Sequence, residues 1–578
     1  MDGDCAWREA VVYQIYPRSF NDSDSDGIGD LRGIVERVDY LAALGVDVVW
    51  LTPVYDSPQV DNGYDIRDYR SIHDAYGTMA DWTALRDALH ERDIHLVMDL
   101  AVNHTSDEHE WFCRSRRGDE AYRDYYVWEP GEPDEPPNNW ESLFGGSAWT
   151  YDETRAAWYL HLFDERMPDL NWRTPAVRDD VSELMNWWLE RGIDGFRLDV
   201  INLLSKPAGL PDGDPAASIT GAGHFVDGPR IHEYVRELRD RVFAADDVMT
   251  VGETFDVTPA EARRYVVEDG LDMVFPFEHM DIDAGGSGPW DIADWELADL
   301  KAVTERWQTA VGDGWIGLYL SNHDQPRLVS RFGDEAYRTE SATMLATYLF
   351  TLRGTPFVYQ GQELGMTNPR FESIDEYRDP ATVLRVERAV QTGDIDAFAE
   401  IRDAVNYWSR DNARTPMQWS DAEHTGFTDG TPWIKVNANY PEVNVERESA
   451  SEDSVLSYYR RLIDVRAAHP VLVHGRYEPI APDDPNVFAY RRLADDADEQ
   501  VLVALNFTDG RRDLLEIDGE RQRSSRTETG GASMAAFGAL EREDAELLLR
   551  NYGPTASDEP GSVALRPYEA RIYRLATE

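Results

Sequence analysis

Short apolar runs alternate with longer amphipathic stretches over roughly the first 470 residues of the chain. A short apolar run followed by a longer stretch with one apolar face is typical of a buried parallel strand followed by a helix. Such runs predict eight strands, at Val11–Tyr16, Asp47–Leu51, His95–Leu100, Gly195–Asp199, Val248–Gly252, Met273–Phe277, Gly317–Ser321 and Phe357–Gln360. Eight strand-then-helix units indicate an α/β protein built on a (β/α)8 barrel, the TIM-barrel fold.

Two regions depart from this alternation. After the third strand the chain enters a polar, aromatic and proline-rich excursion, which predicts a subdomain inserted into the barrel over residues 104–174. Towards the end of the chain, short strands such as FAYRRL and ARIYRL are separated by turns rich in Asp, Gly and Glu, as in antiparallel sheets. The sequence therefore predicts a barrel formed by residues 1–103 and 175–473, and a C-terminal antiparallel β domain over residues 474–578.

The composition is strongly acidic. The net charge of −54 results from 110 acidic residues against 56 basic ones, of which only three are lysines. Such a surface repels nucleic acids and anionic membranes, so we expect neither as a partner. Because molar salt shortens the Debye length to ~3 Å, self-repulsion on this scale indicates a haloadapted protein. A merely acidic mesophilic enzyme is the alternative, and the depletion of lysine argues against it.

The cysteines and the N-terminal residues bear on the compartment. Cys5 and Cys113 are too few for a disulfide framework or a metal cluster, which fits a reducing compartment. The N-terminal residues lack the basic start and apolar core of a signal peptide, and no run approaches the ~18 apolar residues of a membrane span. We therefore expect a cytoplasmic protein, either a monomer or a small homo-oligomer.

A pair of opposite charges ends the fourth predicted strand. In GFRLDV, the apolar residues Phe196, Leu198 and Val200 alternate with Arg197 and Asp199. The arginine and aspartate side chains are therefore expected to point in the same direction at the end of the strand. A neighbouring arginine favours the ionised form of an aspartate, which is the form that acts as a nucleophile. A structural ion pair at the strand end is the alternative.

Further charged residues follow other strands. Asp99 and His104 follow the third strand, Glu253 follows the fifth, and His323 and Asp324 follow the seventh. Each by itself is compatible with a helix N-cap or a buried ion pair. Together they predict one cluster at the mouth of the barrel. Two carboxylates that face each other across a pocket are what glycoside hydrolysis requires, and a separation of ~5–5.5 Å predicts a retaining double displacement.

Four of these strand-end segments resemble the signature regions of the α-amylase family, glycoside hydrolase family 13. They are DLAVNHTS, GFRLDVINLLSK, VGETF and LSNHDQPR, in the order in which that family has them. The resemblance extends over nearly the whole chain, through DGIGDLRGI, MPDLNW and GTPFVYQGQELGM. Within the family, DNGYDIRDY, YLHLF and RDNARTPMQW are most similar to the α-glucosidase and oligo-1,6-glucosidase group.

The resemblance implies catalytic roles for three residues. Asp199 is expected to be the nucleophile, Glu253 the general acid and then base, and Asp324 the third carboxylate, which grips the distorted sugar. The partly apolar strand end before Glu253 fits a raised pKa that keeps this acid protonated until the leaving oxygen needs a proton. Arg197 is expected to keep Asp199 charged.

The resemblance also implies the walls of a pocket for a small α-glucoside. His104 and His323 are expected to contact sugar hydroxyls, and Tyr64 is expected to stack on the sugar ring. Phe144 and Phe163 are expected to form apolar walls, and Asp61 with Arg414 is expected to form an ion pair that closes the pocket. The ion pair resembles the one that closes the pocket behind the non-reducing glucose in exo-acting members. A closed end implies the release of single terminal glucose units.

The residue after the nucleophile bears on linkage preference. Val200 resembles the α-1,6-cleaving members, whereas the α-1,4-specific ones tend to have Ala or Thr there. A methyl-sized difference is worth only ~1–3 kcal/mol, so mixed specificity stays open. Met167 and Phe255 depart from the usual residues of this group. The alternatives are an α-1,4-glucosidase or transglucosylase, a sucrose isomerase, a trehalose-6-phosphate hydrolase, or an inactive barrel that serves a transporter as a binding subunit.

The segment NDSDSDGIGDLRG predicts a metal site. Asp22, Asp24, Asp26 and Asp30, with the carbonyl of Ile28, have an EF-hand-like spacing of hard oxygen ligands around a glycine turn. An acidic surface loop in an acidic protein is the alternative. The family resemblance implies a structural Ca²⁺ or Mg²⁺ in this loop, and no organic cofactor.

Overall fold

A computed structural model describes residues 7–243, 248–286, 290–495, 499–514, 545–553 and 564–576. Cys113 is a free thiol, and Cys5 lies outside the described residues. Among the described residues, no helix combines the length and the apolar character needed to cross a bilayer.

Eight parallel strands form the barrel, as predicted. They are β1 (Val12–Ile15), β2 (Val48–Leu51), β3 (His95–Ala101), β4 (Gly195–Asp199), β5 (Met249–Glu253), β6 (Met273–Phe275), β7 (Gly317–Leu318) and β8 (Thr355–Tyr359). Their order in the sheet is β6-β5-β4-β3-β2-β1-β8-β7, and a parallel bridge between Val274 and Ile316 joins its two edges. The barrel is therefore nearly closed, and the carboxyl ends of all eight strands meet at one mouth.

Two of the strands are shorter than the apolar runs that predicted them. Pro276 follows β6 directly and has no N–H for a strand hydrogen bond, so β6 ends before Phe277. Beyond β7, the carbonyl oxygen of Tyr319 accepts a hydrogen bond from the His279 ring, 2.7 Å away, instead of pairing with a strand. Tyr319 is buried and Phe277 is partly buried, so the apolar runs continue beyond the ends of both strands.

Helices surround the barrel and fill its connections. The α-helices span Leu31–Glu36, Val38–Leu44, Met79–His90, Glu110–Arg116, Pro175–Leu189, Ala222–Phe225, Ile231–Leu238, Pro259–Arg263, Leu297–Ala310, Leu328–Phe332, Arg338–Thr351, Pro380–Thr392, Arg402–Trp408, Asp411–Arg414, Val445–Ser449, Val455–Ala468 and Val471–His474. A capping box at Thr78 and Asp81 begins the helix Met79–His90. The helix Arg338–Thr351 is buried on nearly all sides, because it lies between the barrel and the C-terminal sheet.

The insertion between β3 and β4 contains a small antiparallel sheet of its own. Its strands are Trp128–Pro130, Trp149–Asp152 and Ala157–Leu160. Trp140 and Trp149 belong to a separate cluster of buried apolar residues, so this region packs around its own small core.

The C-terminal region forms a five-stranded antiparallel sheet, as predicted. Its strands are β9 (Arg476–Ile480), β10 (Val487–Leu493), β11 (Gln500–Asn506), β12 (Ala545–Arg550) and β13 (Ala570–Leu575), in the order β9-β10-β11-β13-β12. Two short pairs, Tyr55–Asp56 with Asp68–Ile72 and Arg512–Asp513 with Ala564–Leu565, lie outside the large sheets. The exact domain boundaries remain predictions.

The register of the central strands positions the charged residues. Asp99 of β3 is the direct neighbour of Arg197 of β4, and Leu198 is the neighbour of Gly252 of β5. Asp199 and Glu253 each follow one residue later, so they end adjacent strands at the same height. Three neighbouring strands thus bring three carboxylates around one arginine.

Candidate active site

A cavity of about 330 Å³ opens at the carboxyl ends of the strands. Its walls include nine of the residues expected at the site, which are Asp61, Tyr64, His104, Phe144, Phe163, Asp199, Val200, Glu253 and Asp324. Arg197, His323 and Arg414 lie behind this wall. They form hydrogen bonds with the wall residues Asp199, Tyr64 and Asp324, respectively. The two carboxylates expected to do the chemistry therefore face the same sugar-sized cavity.

The Arg197 guanidinium joins the carboxylates at the base of the cavity. Its Nη1 atom lies 2.6 Å from Oδ1 of Asp199 and 2.8 Å from Oδ1 of Asp99, and its Nη2 atom lies 2.7 Å from Oε2 of Glu253. The Arg197 side chain is only 2% exposed. In a buried site this geometry fixes the relative positions of Asp199 and Glu253 through charge-assisted hydrogen bonds.

The same geometry corrects the expectation that Arg197 alone keeps Asp199 ionised. Burial raises the pKa of Asp199 well above its usual range, Arg197 opposes this, and Glu253 and Asp99 raise it further. Burial likewise raises the pKa of Asp99 to about 6 against the effect of Arg197. Arg197 is one positive charge shared by the buried carboxylates of Asp99 and Asp199, so the protonated form of one of these two is favoured. The sequence of β4 reveals only the Arg197–Asp199 pair, because the two other carboxylates, Asp99 and Glu253, belong to neighbouring strands.

Val200 links the ends of β4 and β5. Its backbone N–H donates to Oε2 of Glu253 at 3.0 Å. Its φ of +38° is left-handed, which is rare and strained for a β-branched residue. The turn that this conformation makes directs the Val200 side chain to the cavity wall beside Asp199 and Glu253.

Asp324 lies between two arginines. Arg414 Nη2 is 2.6 Å from its Oδ1 atom, and Arg410 Nη1 is 3.6 Å from the same atom. Burial by itself would raise the pKa of Asp324, but His323, Arg410 and Arg414 outweigh it and lower the pKa well below its usual range. Asp324 is therefore ionised at any ordinary pH. In this it differs from Asp99 and Asp199, whose pKa values are raised.

The structure corrects the expected partner of Asp61. Its Oδ1 atom pairs with Arg410 Nη2 at 2.8 Å, whereas Arg414 pairs with Asp324. Arg410 and Arg414 are four residues apart in WSRDNARTP, about one helical turn, and the turn that includes the helix Asp411–Arg414 directs Arg410 towards Asp61. Asp61 is in an ion pair as predicted, but with Arg410, which also binds Asp379 at 2.6 Å.

The two histidines have different roles. His104 lines the cavity, and its buried Nε2 atom has no hydrogen-bond partner. Burial lowers the pKa of His104 to about 4, so a neutral ring is available to a sugar hydroxyl. His323 is not on the wall, because its Nδ1 atom is 2.7 Å from Gln14 Nε2 and its Nε2 atom is 2.7 Å from the Tyr64 hydroxyl. The expected contact of His323 with a sugar hydroxyl is replaced by its contact with Tyr64.

Tyr64 and two phenylalanines form the aromatic part of the cavity. The Tyr64 hydroxyl donates to Oδ2 of Asp99 at 2.8 Å, which fixes its ring above the base of the cavity. Phe144 and Phe163 meet edge to face at 5.6 Å, and Arg410 lies over the Phe144 ring at 5.3 Å. These apolar faces fit the hydrophobic side of a sugar ring.

Several wall residues were not among the expected binding residues. They are Leu143, Met167, Leu203, Ile219, Phe255, Phe277, Asn322, Gln325, Arg385 and Arg410. Arg410 lies inside the segment RDNARTPMQW, so a signal for it was present in the sequence. Met167 and Phe255 are the two residues whose identity departs from the usual pattern of the group. Residues such as Ile219 lie in long connections, whose path no local pattern predicts.

The acidic loop after β1 brings together three of its four aspartates. Carboxylate oxygens of Asp22, Asp24 and Asp30 lie within 4.8 Å of one another. Asp26 is outside this group, and its Oδ1 atom accepts from the backbone N–H of Ile28 instead. Asp22 and Asp30 are buried, and their carboxylates accept hydrogen bonds from backbone N–H groups and from the hydroxyls of Thr428 and Ser23, respectively. Three carboxylates at this separation fit the oxygen ligands of a hard divalent cation.

Comparison with known proteins gives a consistent result. The chain matches the family model of the alpha-amylase catalytic domain over residues 14–475. It is 50% identical over 577 residues to an oligo-1,6-glucosidase of Parageobacillus thermoglucosidasius, with 98% of this chain and 99% of that protein covered. It is 46% identical over 581 residues to a trehalose-6-phosphate hydrolase of Bacillus subtilis (strain 168), with 98% of each covered. A solved isomaltulose synthase of Klebsiella sp. LX3 superposes with a TM-score of 0.90 at 40% identity and 99% coverage of both chains.

Proposed function

The chain belongs to the alpha-amylase family of glycoside hydrolases, and from this premise we propose that it is a retaining, exo-acting α-glucosidase that cleaves terminal glucose from short α-glucosides, α-1,6-linked ones included. The observation that supports this proposal most directly is the cluster in which Arg197 binds both Asp199 and Glu253 on the wall of one cavity. An inactive barrel would lack one of these two carboxylates.

In the proposed reaction Asp199 and Glu253 act in turn. A carboxylate oxygen of Asp199 attacks the anomeric carbon while Glu253 donates its proton to the glycosidic oxygen, which forms a covalent glucosyl-enzyme and frees the aglycone. Glu253 then takes a proton from a water molecule that attacks the same carbon, so glucose leaves and Asp199 is regenerated.

The shape of the cavity supports exo action. Its volume of about 330 Å³ is at the small end of ligand pockets. The ion pair between Asp61 and Arg410 lies on its wall, and both side chains are largely buried, at 6% and 15% exposed. A sugar chain that continued past this ion pair would have to break it, so one glucose unit is held at the closed end.

The linkage is supported by Val200 and by the relatives. Val200 lines the cavity next to both reacting carboxylates, so its branched side chain would border the glycosidic bond that they cleave. Relatives named oligo-1,6-glucosidase reach 50% identity over nearly the whole chain. Relatives named trehalose-6-phosphate hydrolase and isomaltulose synthase have lower identity, at 46% and 40%. The assay below also distinguishes their reactions from hydrolysis of a neutral α-glucoside.

Product analysis tests this proposal. We expect free glucose from isomaltose, with slower release from maltose, sucrose and trehalose assayed side by side. Asp199→Ala should abolish release while its circular dichroism spectrum and melting temperature stay close to those of the wild type. A new disaccharide from sucrose would instead indicate an isomerase, and glucose 6-phosphate from trehalose 6-phosphate alone would indicate the phosphate-specific hydrolase. Retained turnover in Asp199→Ala would mean that the nucleophile is another residue.

We further propose that Asp22, Asp24 and Asp30 bind a structural Ca²⁺ or Mg²⁺, which the sequence already suggested. Such a cation supplies the positive charge that stabilises the turn after β1, and no step of the reaction involves it. A chelator should lower the melting temperature and added Ca²⁺ or Mg²⁺ should restore it. Asp24→Asn should remove this response, whereas Asp26→Asn, the matched change outside the group, should keep it. The cytoplasmic location expected from the sequence stays a prediction.

A further inference from the structure

A buried lysine lies behind the part of the cavity wall that His104 forms. Lys206 is 5% exposed, and its Nζ atom lies 2.5 Å from Oδ2 of Asp169 and 2.7 Å from Oδ1 of Asn103. Asn103 and Asp169 are fully buried, and an antiparallel bridge joins Asp169 to His104. Lys206 is not one of the residues that line the cavity. It therefore reaches His104 through its partners and not through a substrate.

Lys206 determines the orientation of the Asn103 amide group. An ammonium group only donates hydrogen bonds, so the amide atom that faces it is the oxygen. The NH2 group of the amide then lies 3.2 Å from Oδ2 of Asp169 and 3.3 Å from Nδ1 of His104. An NH2 group has one hydrogen for each of these atoms, so Nδ1 of His104 is an acceptor.

The tautomer of His104 follows from this contact. Because Nδ1 accepts, the proton of the neutral ring is on Nε2. This Nε2 atom is buried and has no hydrogen-bond partner among the residues that the structure describes, while the His104 ring lines the cavity. A buried N–H group without a partner costs free energy, which a sugar hydroxyl in the cavity would recover. His104 is thus prepared as a donor to the substrate.

The charges near His104 show a second effect of Lys206. Burial is the main reason that the pKa of His104 is lowered to about 4. Asp169 and the backbone carbonyl of Tyr64 oppose this effect, whereas Lys206 lowers the pKa further. Without the ammonium group, the charge of Asp169 would act on His104 uncompensated and would raise its pKa.

The residue type at position 206 fits this role. Only three of the 56 basic residues of the chain are lysines, so arginine is the usual cation of this protein. A lysine ammonium is a compact point charge, whereas the guanidinium of an arginine is a wide planar group. A lysine enclosed by Asp169 and Asn103 therefore indicates that this buried site requires the compact cation.

We propose that Lys206 is a positioning residue for the glucose unit. By orienting the Asn103 amide, it fixes the tautomer in which Nε2 of His104 donates a hydrogen bond to a glucose hydroxyl. This inference rests on the proposed function, because it deepens the description of the same cavity. Lys206 itself contacts neither the sugar nor the reacting atoms.

The experiment removes the ammonium group and follows activity against pH. In Lys206→Met the Asn103 amide can rotate and offer its oxygen to His104, which moves the ring proton to Nδ1. With Nε2 no longer a donor, kcat/KM for 4-nitrophenyl α-D-glucoside should fall about tenfold at a pH of about 8. The ratio of variant to wild type should recover towards a pH of about 5. There the ring, whose pKa is raised in the variant, takes up a proton and Nε2 donates again.

Lys301→Met is the matched control. Lys301 is 6% exposed, and its Nζ atom donates to the carbonyl oxygens of Ala481 and Asp484, away from the cavity. This variant should keep the wild-type kcat/KM at every pH.

Asn103→Asp is the second variant, because Lys206→Met leaves the buried Asp169 without its cation. It retains Lys206 and places a carboxylate oxygen against Nδ1 of His104, which again moves the ring proton to Nδ1. The same loss at alkaline pH and the same recovery in acid are expected, even where Lys206→Met fails to fold.

The outcomes separate this inference from the proposed function. A wild-type protein that does not hydrolyse 4-nitrophenyl α-D-glucoside would refute the proposed function itself. An active wild type whose variants lose the same fraction of kcat/KM at every pH would overturn the positioning role while the glucosidase stands, because a structural defect does not follow the protonation of His104. Full activity of Lys206→Met at alkaline pH would overturn it as well.

Discussion

Val200 shows how a single strained residue serves the site. Its left-handed backbone, at φ +38° and ψ +43°, costs on the order of 1–3 kcal/mol for a β-branched residue. In return its N–H is directed at Glu253, and its side chain lines the cavity beside the nucleophile. Selection for stability alone would favour glycine at this position. The branched side chain is therefore the feature to test.

We predict that Val200→Thr shifts linkage preference without changing stability much. Threonine keeps the branch at Cβ and thus the backbone strain, but it replaces a methyl group by a hydroxyl group at the cavity wall. The ratio of kcat/KM for isomaltose to that for maltose should fall several-fold, within the ~1–3 kcal/mol typical of such a change. Val200→Gly is the control for the backbone strain. It should relieve the strain and so raise the free energy of unfolding, which denaturant unfolding measures. An unchanged ratio would exclude Val200 as a specificity determinant.

Gln14 fixes the state of His323 from behind the cavity. Its amide N–H donates to Nδ1 of His323, so the ring proton is on Nε2, which faces the Tyr64 hydroxyl. Tyr64 in turn donates to Asp99, the neighbour of Arg197. Burial is the main reason that the pKa of His323 is lowered to about 3, although Asp324 opposes this effect. The ring is therefore neutral throughout the working range of pH.

We predict that Gln14→Glu moves the acid limb of the pH profile to higher pH. A carboxylate at 2.7 Å from Nδ1 would stabilise the imidazolium and raise the pKa of His323 from about 3 by ~1–3 pH units. The protonated ring appears as pH falls, so activity should be lost at a higher pH than in the wild type. The measurement is kcat/KM against pH. Gln14→Leu is the control, since it removes the hydrogen bond without adding charge and should lower kcat with little shift of the limb.

At the scale of elements, the connection after β8 closes the site. It contributes Arg410, which joins Asp61 from the connection after β2 to Asp379 at the start of the helix Pro380–Thr392. The Asp61 and Asp379 side chains are 6% and 1% exposed, and Arg410 is the near cation of both. Loss of Arg410 would leave the buried Asp61 carboxylate unpaired and would leave Asp379 with Arg414, 3.9 Å away.

We predict that Arg410→Ala both destabilises the protein and opens the closed end of the cavity. Removing one member of a buried ion pair typically costs ~3–5 kcal/mol, which urea unfolding measures. Exo selectivity should weaken, so that longer products appear from an isomalto-oligosaccharide analysed by chromatography. Arg410→Lys keeps the charge and should be intermediate in both measurements. Glucose as the sole product from Arg410→Ala would show that another element closes the pocket.

The barrel was predictable from sequence because its strands are short, apolar and buried on both faces. Each of the eight apolar runs coincides with a barrel strand, and β4 has the predicted bounds. The partner of Asp61 was not predictable in the same way. Its arginine is 349 residues away, and a choice between Arg410 and Arg414 depends on the path of a long connection. Likewise, three carboxylates share Arg197 because of strand register, which no single strand reveals.

At the scale of the whole molecule, the net charge of −54 means strong repulsion between like charges on the surface. We predict that melting temperature and activity both rise with KCl into the molar range. The Debye length shortens from ~10 Å at 0.1 M to ~3 Å at 1 M, and this screening reduces the repulsion in the compact folded state more than in the expanded unfolded state. The measurement is a thermal melt and glucose release across a KCl series. Sucrose at matched osmolality is the control, because it is excluded from the surface without screening charge. Full stability in dilute buffer would contradict the haloadapted interpretation.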